Sequence, residues 1–91
     1  MDENKARILK ALGLLVRQHR ENLAISQEEL AMRSNLDRTY ISGIERGVRN
    51  PSLTALVSLA DGMKINVSSL LEGLETQINR QDGKDYKSRS T

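Results

Sequence analysis

Along most of this chain aliphatic residues return every three or four positions, interrupted by short polar clusters, which is a helical rather than a strand pattern. The interruptions share a local signature. Ser26 precedes Gln27-Glu28-Glu29, a capping box in which the hydroxyl and the Glu29 carboxylate each reach an otherwise unsatisfied backbone N–H. With Ser26 as N-cap, Ile25 and Leu30 fall at the two positions that staple a helix start. The same bracketing recurs around Asp37, with Leu36 and Ile41, and around Asn66, with Ile65 and Leu70. Ser52, after Pro51 and before Leu53, marks a further start. These signals predict five helices, at about residues 5–22, 27–33, 38–46, 53–63 and 67–74. Two are too short to persist alone and must be held by packing. No segment alternates as a strand would, so the expected class is all-α.

Composition narrows the core. Leu, Ile and Val make up about a quarter of the chain, there is no Phe or Trp, and only two Tyr, so the core is aliphatic and small. The absence of Cys excludes a disulfide scaffold and thiolate metal sites. His19 is the only histidine, so it reads as a packed or partly exposed side chain, and neither metal nor cofactor is expected. No apolar run is long enough to span a membrane. The first residues are acidic where a secretory signal is basic, which makes a cytoplasmic protein the expectation.

The net charge of +2 is informative only once it is located. Residues 76–91 carry Arg80, Lys84, Lys87 and Arg89 against Asp82 and Asp85, so the excess lies there and residues 1–75 are neutral. Residues 76–91 are also poor in apolar positions and read as a flexible polar tail, which leaves residues 1–75 as the single domain.

Within that domain, residues 27–46 have the layout of a helix-turn-helix. Only Ser34-Asn35-Leu36 separates the second and third helices, and Asn tolerates the left-handed conformation such a turn needs. A helical hairpin of any kind shares these apolar positions, so the outer face of the third helix carries the discrimination. Arg38, Thr39, Ser42 and Gly43 form one stripe on it. An arginine can donate two bonds to guanine, and the two hydroxyls can meet a base edge or a phosphate. Gly43 either lets the helix approach DNA closely or is an accident of a surface position, at a cost of about 1 kcal/mol relative to Ala. Arg33, Arg38, Arg46 and Arg49 cluster on or beside this helix, so the local charge favours a nucleic acid although the domain total does not. An enzyme is disfavoured: there is no Gly-rich phosphate loop, no paired metal-binding histidines and no nucleophile beside a histidine.

The blocks Ser26-Gln-Glu-Glu-Leu-Ala, Tyr40-Ile-Ser-Gly-Ile-Glu-Arg-Gly and Arg49-Asn-Pro-Ser-Leu, in that order, resemble the Xre/Cro family of bacterial and phage helix-turn-helix regulators. The resemblance extends over about residues 12–72 and is greatest to the controller proteins of restriction–modification systems. It implies a compact five-helix, phage-repressor-like DNA-binding domain that binds a palindromic double-stranded operator as a homodimer. By resemblance, Gln27 clamps a phosphate at a helix N-terminus, Arg38 and Thr39 read bases, and Tyr40 lends its hydroxyl to a phosphate. Arg46, Arg49 and Asn50 match the DNA-contacting loop, and Arg20 and Glu45 match an internal ion pair. Val67, Leu70, Leu71 and Leu74 on the fifth helix are the expected dimer interface, with Val67 and Leu70 also serving the core. Ile8, Leu9, Leu12 and Leu15 of the first helix are a further apolar surface able to cover it. Ala24 and Lys64 depart from the family by standing where a helix-ending Gly is usual. Glu28 matches a position that touches RNA polymerase in some relatives, although acids are favoured in any first helical turn. An alternative function is that of an antitoxin, in which the tail would engage a protein.

Overall fold

The computed structural model describes residues 3–81. Among the described residues six helices follow one another: α1 (Glu3–Asn22), α2 (Gln27–Ser34), α3 (Arg38–Glu45), α4 (Leu53–Gly62), α5 (Val67–Leu70) and α6 (Leu74–Arg80). The described residues contain no strand. The five helices expected from the apolar spacing are present, and α6 is an addition.

Three connectors are built alike. Ala24, Asn35 and Lys64 each end a helix in the left-handed region, with φ of 58°, 56° and 60°. In each case that residue and the next turn their N–H groups back to the last helical turn. Ala24 and Ile25 donate to the carbonyls of Glu21 and Arg20 (2.9 and 3.4 Å). Asn35 and Leu36 donate to Met32 and Ala31 (3.4 and 3.0 Å), and Lys64 and Ile65 to Asp61 and Ala60 (3.0 Å each). This is the Schellman closure, which satisfies carbonyls that the helix leaves unpaired. The residue after each aliphatic is then the N-cap of the following helix: Ser26, Asp37 and Asn66. Ile25, Leu36 and Ile65 therefore close one helix and staple the next while packing on the core.

The caps themselves differ from one another. The side chains of Ser26, Ser52 and Asn66 accept from the N–H of Glu29, Ala55 and Ser69. The reciprocal half of the expected capping box is not made; the Glu29 carboxylate accepts from Arg33 Nε at 3.0 Å. Asp37 makes no side-chain cap bond; its carbonyl accepts from Tyr40 and Ile41 (3.1 Å each).

The core gathers Leu12 and Val16 of α1, Leu30 of α2, Ile41 and Ile44 of α3, Leu59 and Met63 from α4 and its end, and Leu70 of α5. Helix α1 lies against α3 and α6, α2 against α3 and α4, and α4 against α5. Gly13 makes the first of these contacts possible: a Cβ there would sit 2.5 Å from the carbonyl oxygens of both Ile44 and Glu45. A methyl group cannot occupy that space, so the backbone of α1 meets the backbone at the end of α3 directly.

The C-terminal part corrects four expectations. Leu70 is completely buried, so it is core and has no surface to offer a second subunit. Leu74 does not close the fifth helix but opens α6, after a turn through Gly73 at φ 84°. Helix α6 continues past the expected domain boundary at residue 75 and packs on α1, where Gln81 Nε2 donates to the Arg7 carbonyl at 2.7 Å. Leu9, Leu12 and Leu15 are accordingly buried within the subunit, and only Ile8 of that group is exposed. Of the expected tail, residues 82–91 lie outside the described residues.

Candidate nucleic-acid interface

Helix α3 is positioned by an ion pair beneath it. Arg20 donates through Nε and Nη2 to both oxygens of Glu45, at 2.7 and 3.0 Å, and through Nη1 to the Ile25 carbonyl at 2.9 Å. The Glu45 side chain is only 4% exposed and that of Arg20 12%, so this is a buried, two-pronged pair. Its hydrogen bond to Glu45 raises the Arg20 pKa above the usual arginine value, against a smaller opposing effect of burial. One guanidinium thereby ties α1, the connector before α2 and the end of α3 together.

Gln27 extends the network to the surface. Its Nε2 donates to Glu45 Oε1 at 3.0 Å. A carboxylate only accepts, so the amide oxygen must face outward, and there it accepts from Arg38 Nη1 at 3.3 Å. Arg38 Nε also lies 3.7 Å from Glu28 Oε2, an exposed and weak pair. Arg38 is thus parked across the start of α2 yet remains open to solvent. Glu28 thus has an arginine neighbour within the chain.

Beyond Arg38, Thr39 is exposed on the same turn and Ser42 half-buried one turn on. The Ser42 hydroxyl accepts from Arg46 Nε at 3.3 Å, which draws the first loop arginine along the helix. Helix α3 then ends on Gly47, at φ 78°, in a fourth Schellman closure. Gly47 N–H donates to the Ile44 carbonyl (3.0 Å) and Val48 N–H to that of Gly43 (2.9 Å), while Arg49 N–H reaches the same Gly43 carbonyl at 3.2 Å. The chain therefore folds back over its own helix. Arg49 crosses Gly43 and brings its guanidinium carbon 5.5 Å from the centre of the Tyr40 ring. At such an exposed site a cation–π contact contributes about 0.5–1 kcal/mol. Tyr40 is half-buried and packs on the core. An open cleft of about 690 Å³ lies alongside, lined by Met32, Asn35, Asp37, Thr39, Tyr40 and Arg49 among others.

Arg38, Thr39, Arg46, Arg49 and Asn50 are all exposed on α3 or the loop after it, with Gln27, Tyr40 and Ser42 half-buried among them. Gly43 is the exception. It is buried under Arg49 rather than part of an exposed stripe, so its backbone is not open to close approach by a ligand. Helical periodicity placed it on the outer face; the return of the loop, which periodicity does not carry, covered it. Arg33 stays on α2, paired with Glu29 at 3.0 Å, away from this group in its hydrogen bonding. Among the described residues no group of acids and His19 could hold a metal ion. No described helix is long and apolar enough to cross a membrane.

The apolar surface divides differently from the sequence reading. Val67, Leu71 and Leu74 are half-buried against the core. Leu53 and Val57, one turn apart on α4, are 70% and 45% exposed. The spacing of α4 held the signal for that pair, since Ala55, Leu59 and Ala60 take its inner face.

A helix-turn-helix family model matches residues 16–70. The control protein C.SmaI of Serratia marcescens is 42% identical over 72 residues, which span 77% of this chain and 86% of that protein. The solved structure of the restriction–modification controller protein C.AhdI from Aeromonas hydrophila superposes with a TM-score of 0.67 at 42% identity, covering 68% of this chain and 94% of that one. The controller protein C.Esp1396I, solved as a tetramer in complex with its natural 35 base-pair operator, matches with a TM-score of 0.71 at 36% identity over 79% of this chain and 95% of its own.

Proposed function

This chain belongs to the helix-turn-helix family, and on that premise we propose that it is a sequence-specific DNA-binding transcriptional regulator of the restriction–modification controller type, acting as a homodimer on a palindromic operator. The observation that carries the reading is the presentation of Arg38, Thr39, Arg46, Arg49 and Asn50 together on one eight-residue helix and its following loop. That helix is held in place by a buried ion pair that removes Glu45 from the surface. Helix α3 enters the major groove in this reading. Arg38 leaves Gln27 and Glu28 to donate to a base edge, and Thr39 supplies a hydroxyl and a methyl beside it. Tyr40, Ser42, Arg46, Arg49 and Asn50 meet phosphates and fix the register, and Gln27 joins them through the second Nε2–H, the one Glu45 does not take. Two subunits joined by a two-fold axis place two such helices about 34 Å apart, one turn of DNA.

The interface we assign to the dimer is the exposed pair Leu53 and Val57 on α4 together with the half-buried Leu71 on the adjoining α5 end. Val67 and Leu74 are half-buried against the core and Leu70 lies within it, so they give the fold rather than the interface its apolar contacts. The role is that of a binding protein rather than an enzyme, and its place of action is the bacterial cytoplasm. Selection of bound duplexes from random-sequence DNA tests the reading. Recovery of a two-fold symmetric motif with half-sites one helical turn apart supports it, and recovery of no preferred sequence refutes it.

A further inference from the structure

We propose that Gly43 is a positioning residue for Arg49: the bare helix surface it leaves is the seat on which the Arg49 stem lies, delivering the guanidinium to Tyr40 and to the face where DNA binds. The proposal rests on the DNA-binding reading above and deepens it. Three observations meet at this point. First, a Cβ on Gly43 would overlap Arg49 Cγ and come within 3.4 Å of its Cβ and 3.7 Å of its Cδ. Three consecutive carbons of one stem thus lie flat across the glycine. Second, the N–H groups of Val48 and Arg49 both end on the Gly43 carbonyl, so the backbone that launches this side chain is fixed to the same residue. Third, Tyr40 sits one turn before Gly43 on the same face of α3, and the guanidinium that has crossed the glycine stops over its ring.

A glycine inside an eight-residue helix weakens a helix with few residues to spare. The seat supplies the reason for it. Arg46 and Arg49, the two loop arginines, are then aimed by two different residues of α3: Arg46 by the Ser42 hydroxyl, and Arg49 by the space at Gly43. A long side chain that is already laid down loses less rotamer freedom on binding than one that must be captured from solution. Direct approach of DNA to the Gly43 backbone is a different role and requires the glycine to be uncovered, whereas Arg49 covers it.

The test compares the full chain with Gly43→Ala, Arg49→Ala and the double variant. The first readout needs no DNA. In the free protein, the Tyr40 ring resonances of Gly43→Ala should move toward those of Arg49→Ala, because both remove the cation from the ring. Unmoved resonances overturn the proposal whatever the ligand. The second readout is affinity for a duplex that the wild-type protein recovers from a random pool. Gly43→Ala should bind about tenfold more weakly, with a salt slope lower by about 0.9, the loss of one phosphate contact. Its melting temperature should change little, since the better helix propensity of Ala is offset by the lost contact with Tyr40. In the Arg49→Ala background the same substitution should change binding no further. Equal weakening in both backgrounds overturns the proposal and gives Gly43 a role of its own at the DNA. If the wild-type protein recovers no preferred duplex, the DNA-binding reading fails and this one with it, a failure the ring resonances distinguish from loss of the seat itself.

Discussion

Arg20 and Glu45, twenty-five positions apart, meet through two hydrogen bonds of 2.7 and 3.0 Å beneath the helix that carries the exposed arginines. Removing one member of such a buried pair strands the other, at a typical cost of about 3–5 kcal/mol, a large part of the stability of a small domain. Arg20→Ala should therefore lower the melting temperature severely. Arg20→Lys should recover only part of the loss, since an ammonium lacks the fork that holds both Glu45 oxygens and the Ile25 carbonyl together. The raised Arg20 pKa keeps the guanidinium charged at neutral pH and well beyond. The stabilisation linked to the Arg20 proton is fully present below the ordinary arginine value and is lost in strong alkali, as pH rises through the higher folded one.

Arg38→Ala should behave in the opposite way. The side chain is about half exposed and its partners Gln27 and Glu28 remain solvated without it, so thermal melting should be nearly unchanged. Discrimination between the selected duplex and one altered in a half-site should fall by about 1–3 kcal/mol. Equal melting temperatures for Arg20→Ala and Arg38→Ala would contradict this division of labour.

At Gly13 the obstacle is backbone, which cannot swing aside as a side chain does. Gly13→Ala pushes a methyl against the carbonyls of Ile44 and Glu45 and should destabilise by about 1–3 kcal/mol or more, despite the gain in helix propensity. Urea unfolding checks the sign; a more stable Gly13→Ala variant contradicts the close contact of α1 with α3.

Ala24 and Lys64 hold left-handed conformations that cost an ordinary residue about 1–2 kcal/mol each. Glycine has no such strain, although it gives back part of the gain through the entropy of the unfolded chain. Ala24→Gly and Lys64→Gly should each raise stability, by roughly 1 kcal/mol or less, and should add because the two turns are separate. Differential scanning calorimetry of the single and double variants reads both effects.

For the assembly, Val57→Asp places a charge on a surface that is exposed in the subunit, so the fold should survive while the dimer weakens. Sedimentation at micromolar concentration should then find monomers whose operator binding is much reduced. A dimer that persists moves the interface elsewhere. Leu71→Asp should show the same shift with some loss of stability, because that residue also touches the core. Leu70→Asp should simply unfold the protein.

The fold was legible where its determinants are local. Helix starts depend on a polar cap and an aliphatic pair a few residues apart, so Ser26, Ser52 and Asn66 were readable in the chain. Helix α6 was not, since its half-buried apolar positions, Leu74 and Ile78, acquire meaning only against α1. Gly13 carries no local signal for the same reason: nothing near it in sequence indicates that a distant helix end needs the space. Of the candidate site, the exposed arginines were apparent from their clustering, whereas the Arg20–Glu45 pair came only through resemblance, because the two residues belong to separate helices. Gly43 was placed on the surface by helical periodicity, and the loop that covers it obeys no periodicity.

Ile25, Leu36 and Ile65 each belong to two helices at once, as the last contact of one and the first of the next. Such a joint has no slack. Adding a residue on either side of Ile25 or Leu36 would part the left-handed turn from the cap, so that one helix loses its end or the other its beginning. The stretch from the end of α1 through α3 is consequently a segment of fixed length, able to change in composition but not in number of residues. The loop between Glu45 and Leu53 is held to α3 only as far as Arg49 and carries no such double-duty aliphatic, so tolerance of inserted residues, and with it the freedom to reshape contacts to a new operator, is concentrated after Arg49.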